Sequence, residues 1–532
     1  MIDSEMFRWF LVVIELAVAT IVFMLKNDKR WSPWLLTALA LLYVFCVASF
    51  RVFSSHSVSD SFQMVTHLDA IMYSVSQVAT GKSVLVNLPA QYGLYAELLN
   101  PVFQAIGLSV LNFTLVMATL QIFALILILR VIFHVVKLNV LRVVGACALV
   151  TLAGYTWAAP LDAYFQYYPI RFFFPAVSVA LYWSYLIRPS QYKVIVLGII
   201  SSLAIPFNLD SGIPVMGSCI AGFLFAALFS PVTQRAEKIR SLKLFSAAAL
   251  LMAATFIGLI QIKGGAPRWA EMVKYQNIFY ITGAYMLPMA RSLHFWMLVA
   301  GVYVFGIVSY LGFSLRKAPS RIWELVFQIS VLGLGLFSYY QGRSHIIVLM
   351  LASWPAILII FILTDRTFRA SNARVLPSIW RLFAYPSVVL GAFLCTLLTF
   401  KLPILATTLV TRLMDLTQLR STELTRNIEF IKSGITNNKS MVIIAPHQAI
   451  YYAETGTSSS VDGPGISENL LLEDRVAFVN EVVNGTVKDV FYQPDKTYLE
   501  EEYVKILDGP FDEVGKSQDG MMHLQRRATK FP

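Results

Sequence analysis

The chain has 532 residues, 57% of them apolar and only 14% charged, with a net charge of +11. A soluble domain is charged at roughly a quarter of its positions, so this composition excludes an ordinary soluble enzyme and points to a polytopic membrane protein. The positive balance is no nucleic-acid footprint: residues 401–532 carry 14 Lys/Arg against 18 Asp/Glu, which leaves the cationic excess in the first 400 residues, between apolar runs.

Twelve apolar stretches, each long enough to cross a bilayer, are read at 7–25, 34–52, 109–135, 139–158, 172–188, 192–208, 213–230, 243–262, 294–313, 322–341, 346–363 and 382–400. The first lacks a small-residue cleavage site and is expected to remain as a helix. The four cysteines, Cys46, Cys147, Cys219 and Cys395, all lie in apolar stretches and read as small buried hydrophobes. Cationic residues resist translocation, so Lys26/Lys29/Arg30, Lys137/Arg142, Arg188/Lys193, Arg235 to Lys243, Arg316/Lys317/Arg321 and Arg366 to Arg381 mark the cytoplasmic side. That places the N-terminus, loops 53–108 and 263–293, and the tail outside. The expectation is an all-α membrane module of about 12 transmembrane helices over 1–400, followed by a small extracytoplasmic α/β domain over 401–532.

Loop 53–108 is too apolar for a floppy connector. Asp69 to Gln77 and Leu98 to Leu108 read as short amphipathic helices lying in the headgroup layer. In the tail, a helical segment at about 404–434 leads to candidate strands at Met441–Ala445, Arg475–Val479 and Val487–Tyr492. Ser458 to Gly465 reads as a flexible surface loop.

Candidate chemistry collects on the outer side. Thr66-His67-Leu68-Asp69, just after Asp60, places a carboxylate beside an imidazole; Asp69 serves either as a general base or as the N-cap of the helix that follows. Asp162 precedes Tyr164 to Arg171, where Arg171 either grips a phosphate or snorkels to the headgroups. Asn208-Leu209-Asp210-Ser211-Gly212 has the residues of a tight turn. Lys263 and Arg268 are weaker candidates for the same anion. Gly342-Arg343-Ser344-His345 carries more chemistry than a short turn needs, with Arg343 as phosphate clamp and His345 beside it. No nucleotide-binding loop, dinucleotide fingerprint, zinc pattern or nucleophile elbow is present. No cofactor motif is found, and paired aspartates leave a divalent metal open.

An acid-bearing early external loop ahead of many spans and a C-terminal external domain resembles the GT-C class of integral-membrane glycosyltransferases. His67-Leu68-Asp69, Gly81-Lys82, Gln91-Tyr92-Gly93-Leu94-Tyr95, the Asn208 to Gly212 turn and the Gly342 to His345 turn look like features of bacterial members, over residues 50–350. The resemblance implies a polyprenyl-phosphate-linked sugar as donor, delivered from the membrane lipids, and a glycan or lipid-linked acceptor on the periplasmic face of the bacterial inner membrane. It implies an inverting transfer with the loop aspartate as base, and substrate contacts at Gln91, Tyr92 and Asp210. Family members often show Asp-Asp or Asp-Glu; here Ala70 follows Asp69, which leaves Asp60 or Asp162 as partner. A lipid-linked oligosaccharide flippase or transporter is the alternative from another class, and an O-antigen ligase or polymerase is a third reading.

Overall fold

The computed structural model describes residues 13–21, 24–25, 28, 32–154, 163–283, 286–316, 320–371, 384–418, 421–435, 441–495 and 497–527. Asp162 lies outside the described residues, and the expected span 7–25 falls only partly within them. The helices used here are α1 (Pro33–Ser49), α2 (Asp69–Ala79), α3 (Tyr95–Ile106), α4 (Val110–Val135), α5 (Asn139–Gly154), α6 (Phe173–Ile187), α7 (Gln191–Phe207), α8 (Leu209–Phe229), α9 (Val232–Gly264) and α10 (Lys274–Tyr280). They continue with α11 (Phe295–Leu315), α12 (Arg321–Gly342), α13 (Ile346–Ser371), α14 (Ala384–Gln418), α15 (Glu423–Gly434), α16 (Gln448–Thr455) and α17 (Leu472–Asn484).

Among the described residues, seven helices are long and apolar enough to cross a membrane, and α1, α5 and α7 are shorter apolar helices. The chain is a multi-pass membrane protein, although twelve full-length spans are not reached among these residues. Small polar residues punctuate the apolar runs. Ser32, Ser109, Ser190 and Asn208 each cap the helix that follows by accepting a backbone N–H, which satisfies one of the orphan donors of the first turn. Asn208 serves two helices at once, ending α7 and starting α8. Its Oδ1 accepts from Ser211 N at 3.1 Å while its Nδ2 donates to Tyr92 O at 2.9 Å. The loop bearing Gln91 and Tyr92 is thereby bolted to the α7–α8 junction, helped by Leu94 N donating to Pro206 O at 2.6 Å.

The expected helices of loop 53–108 are present as α2 and α3, but α2 does not lie in the headgroup layer. Residues Asp69 to Val78 are all buried, because α3 covers one side and α16 of the tail the other. The tail builds a four-stranded sheet of β1 (Met441–Ile444), β2 (Asp489–Tyr492), β3 (Phe511–Lys516) and β4 (Met522–Arg526), in the order β1-β2-β4-β3. β1 and β2 run parallel and the other pairs antiparallel. The strand expected at Arg475–Val479 is instead part of α17; five residues of alternation also fit a helix that buries Phe478, Val479 and Val482.

Strand periodicity divides the tail's core. Met441, Ile443 and Phe491 join the large core that runs through the membrane module, while Val442, Ile444, Val490 and Tyr492 point into a smaller core with α17. The tail is therefore continuous in packing with the membrane module. The helix α14 likewise runs without a break through residue 400, where the domain boundary was expected.

Gly93 is a tight joint between loop and membrane helices. Its φ is +102° and a Cβ there would meet Phe207 O at 2.5 Å. Gly93→Ala is expected to cost on the order of 2 kcal/mol through left-handed strain and backbone displacement. Thermal unfolding in detergent would measure this, and an unchanged melting temperature would refute the account.

Candidate functional site

A cavity of about 700 Å³ lies between α8 and α12 and under α10. Its floor runs along the spans, past Pro214, Gly217 and Ser218 on one side and Val331, Gly335 and Ser338 on the other. The helices meet closely there: a Cβ on Gly335 would touch Pro214 at 2.6 Å. From Gly342 to Val331 is roughly 16 Å of helix at 1.5 Å per residue. Ile213 is 57% exposed, and Gly217 and Ser338 are also exposed, so the groove is open along the flank of the bundle.

The upper end is polar. Asp210, in the first turn of α8, takes the Arg171 guanidinium at 2.7 and 3.3 Å and the Gln276 amide at 3.3 Å. Arg171 is buried and stands 4.3 Å from the Tyr339 ring centroid, with Tyr92 at 5.6 Å and Tyr167 at 5.9 Å. A smaller void beside the cavity shares Asp210, Gln276, Tyr280 and Met286 with it and adds Gln91, Tyr92, Arg171, Phe279, Tyr339 and Arg343. Arg343 lies 5.2 Å from the Phe279 ring and makes no ion pair among the described residues. The Gln91 and Gln276 Oε1 atoms are buried without a hydrogen-bond partner. The arrangement offers one uncompensated cation, two open amide carbonyls and a set of aromatic faces. Those are the groups that bind an anion and a sugar-like polyol.

The expected residues separate into three places. Gln91, Tyr92, Arg171, Asp210 and Arg343 line the voids. His67 and His345 stand next to that group. His67 packs on Tyr164 at 4.6 Å and its Nδ1 is 3.2 Å from Gln166 Nε2. Burial, and then the charges of Arg343 and His345, push its pKa down to about 4, so it is neutral at pH 7. Burial, with Arg343, lowers His345 as well. Lys263 and Arg268 do not line the cavity. Lys263 pairs with Glu97 at 2.6 Å and Arg268 donates to Val86 O at 2.7 Å, so both tie the loop after α9 to loop 82–97. Among the described residues no group of three or more His, Cys, Asp or Glu is placed to hold a metal.

Asp69 and Asp60 sit in the third place, against the tail. Asp69 does not cap its own helix: Leu68 precedes it in helical conformation, because a π-helical turn, Gln63–Leu68, runs straight into α2. It caps α16 instead. The cap position there is His447, which offers no side-chain bond, and Asp69 Oδ1 accepts from Ala449 N at 2.8 Å while Ser467 Oγ donates to Oδ2 at 3.3 Å. Burial raises the Asp69 pKa to about 6 against these donors. His447 adopts a left-handed φ of 61° and its Nε2 lies 3.0 Å from Asp60 Oδ1; that bond lowers the Asp60 pKa. Beside Asp69 stands Glu468, whose pKa burial pushes up to about 8, with the Asp69 charge adding to the rise.

Sequence reasoning missed Gln276, Phe279, Tyr280, His447, Ser467 and Glu468. Gln276 and Tyr280 are four residues apart and share a face of α10, a detectable signal. The three tail residues carried none, since only the docking of the tail brings them to Asp69.

Two carboxyls that titrate above their free values favour the folded protein while protonated and lose that contribution as pH rises, through about 6 for Asp69 and about 8 for Glu468. Thermal stability is therefore expected to fall from about pH 4 to about pH 8, and Glu468→Gln to flatten the upper half of that fall. A variant melting curve as pH-sensitive as the parent's above pH 7 would sink the assignment.

No family model matches the chain, and no curated protein matches it. Solved structures do. Two are crystal structures of ArnT from Cupriavidus metallidurans. The one bound to undecaprenyl phosphate is 12% identical, with a TM-score of 0.46, and the match covers 93% of this chain and 98% of that one. The apo structure is 13% identical, with a TM-score of 0.47, and covers 92% and 97%. No role passes from ArnT to this chain at that level of similarity.

Proposed function

We propose that this chain is a membrane glycosyltransferase of the GT-C class. It moves a sugar from a polyprenyl-phosphate donor to a hydroxyl of an envelope glycan or lipid-linked acceptor, on the periplasmic face of a bacterial inner membrane. One observation carries the reading: the cavity is an apolar groove along two spans, open at its flank and ending in a cationic, amide-rich and aromatic head. That shape suits a ligand with a long apolar tail, a phosphate and a sugar. A transporter needs a site reachable from both faces, whereas the polar groups described here gather at one end of the bundle.

In this reading the lipid tail lies along Ile213, Gly217 and Val331. Arg343 takes the phosphate, and it is free to do so because Asp210 neutralises Arg171 and not Arg343. Gln91, Gln276 and the tyrosines hold the sugar. The acceptor oxygen attacks the anomeric carbon on the face opposite the phosphate. The carbon–oxygen bond to phosphate breaks, its electron pair leaves with the phosphate, and Arg343 stabilises that charge. The acceptor proton passes to Asp69, which burial tunes toward the pH at which a carboxylate both ionises and accepts protons well.

Asp69→Asn keeps an oxygen to cap α16 and removes the proton acceptor. Transfer from a panel of undecaprenyl-phosphate-linked hexoses and pentoses to extracted envelope glycans is expected to fall by at least about 100-fold, with the melting temperature retained. Parental transfer by this variant would remove Asp69 as base. Arg343→Ala is expected to weaken undecaprenyl phosphate binding by about tenfold and to leave the acceptor KM in place; equal loss of both would count against the clamp.

A further inference from the structure

Asp69, the proposed base, is 2% exposed. The Ser467 hydroxyl donates to its Oδ2 at 3.3 Å. Ser467 belongs to a strap, residues 461–469, which the tail lays across the external loops. The expected flexible loop is thus a bound one. Lys82 Nζ reaches Asp462 Oδ1 at 3.0 Å, Asn87 Nδ2 reaches Asp462 Oδ2 at 2.9 Å, and Gly463 N donates to Asn87 O at 2.8 Å. At the other end Tyr275 OH donates to Glu468 O at 3.2 Å.

Several features make the strap separable. The Asp462 side chain is 52% exposed, and ion pairs in contact with water hold weakly. Gly463, at φ +120°, stands beside Pro464 and Gly465, a run that can re-aim the chain without side-chain strain. Gly465 lies flat on the Tyr73 ring, where a Cβ would be 2.7 Å from it.

The position of the strap is as telling as its tethers. Tyr275, whose hydroxyl holds Glu468 O, is followed on α10 by Gln276, which lines both voids. Gly465 rests on the ring of Tyr73, which shares α2 with Asp69. The end of the strap therefore reaches from the base to the helix that lines the donor cavity, with one of these two tyrosines at each side. Their faces suit stacking on saccharide rings.

We propose that the strap fills the acceptor subsite, with the Ser467 hydroxyl standing where the acceptor hydroxyl binds Asp69, and that its withdrawal opens a saccharide pocket walled by Tyr73 and Tyr275. The inference rests on Asp69 being the base. A saccharide O–H replaces the Ser467 O–H on Oδ2, loses its proton to that oxygen and forms the new bond to the anomeric carbon as the bond to phosphate breaks. The ligand class is a neutral polyhydroxylated glycan end, because an anionic acceptor would meet the Asp69 carboxylate directly.

The test holds the strap shut. In the full-length protein, Asn87→Cys and Asp462→Cys are joined by a reducible bis-maleimide linker, with each single variant treated alike as control. The joined protein is expected to lose at least about tenfold in transfer while still binding undecaprenyl phosphate, and to recover when the linker is cleaved. Separately, Ser467→Ala removes the competing hydroxyl and is expected to lower the acceptor KM about threefold with the donor KM unchanged. A joined protein as active as the released one, or a Ser467→Ala variant with an unchanged or raised acceptor KM, overturns the proposal if Asp69→Asn is inactive. Parental transfer by Asp69→Asn overturns both the base and the subsite.

Discussion

A carboxylate withdrawn from water has to be met by hydrogen-bond donors, and the docking of the tail on α2 follows from how Asp69 meets that demand. Its own helix gives it nothing, because a π-helical turn runs into α2 without a break. The N-terminus of α16 supplies the donors in trans, with Ala449 N and the Ser467 hydroxyl closing on the two oxygens. The partial positive charge of that helix end adds to the match. For α16 to arrive at this angle the chain has to turn sharply after β1, and His447 absorbs the turn in a left-handed conformation. One face of the tail's sheet then becomes part of the core of the membrane module.

The head of the cavity obeys a different electrostatic rule. Two guanidinium groups stand there, and a site that held both uncompensated would repel itself. Asp210 answers Arg171, while Arg343 faces the Phe279 ring and makes no ion pair among the described residues. The ion pair also spans the chain between the entrance of α6 and the start of α8, so it positions as well as neutralises. Two glutamine carbonyls beside it have no hydrogen-bond partner among the described residues, and a buried acceptor left unpaired is costly. A hydroxyl-bearing ligand would relieve that cost.

Between these two ends the protein places a second buried acid, Glu468, that adjacent-residue reasoning had sought next to Asp69 or at Asp60 and Asp162. Asp60 turns away to His447. Glu468 arrives from nearly 400 positions further along the chain, on the strap. Two carboxyls in one buried region do not ionise together easily, and the larger set of donors on Asp69, from Ala449, Ile450 and Ser467 against Gly465 alone on Glu468, sets Asp69 to ionise first.

The membrane helices were legible because a bilayer imposes its thickness on the chain as runs of apolar residues, and Ser32, Ser109, Ser190 and Asn208 mark where those runs begin. The cationic and polar turn at Arg343 stood out because it carries more chemistry than a short turn needs, and the loop at Gln91 and Tyr92 stood out through its resemblance to the GT-C class. The alternation at Arg475–Val479 misled, since five residues cannot separate a strand from one face of a helix. Asp69 stood out as a candidate base, whereas its capping of α16 and the presence of Ser467 and Glu468 beside it had no signature. Sequence alone determined that the chain is a multi-pass membrane protein, a matter of transfer free energy summed over local windows. Which acids are buried, which cation Asp210 neutralises and what covers Asp69 were decided by tertiary structure, because each depends on desolvation by segments far away in the chain.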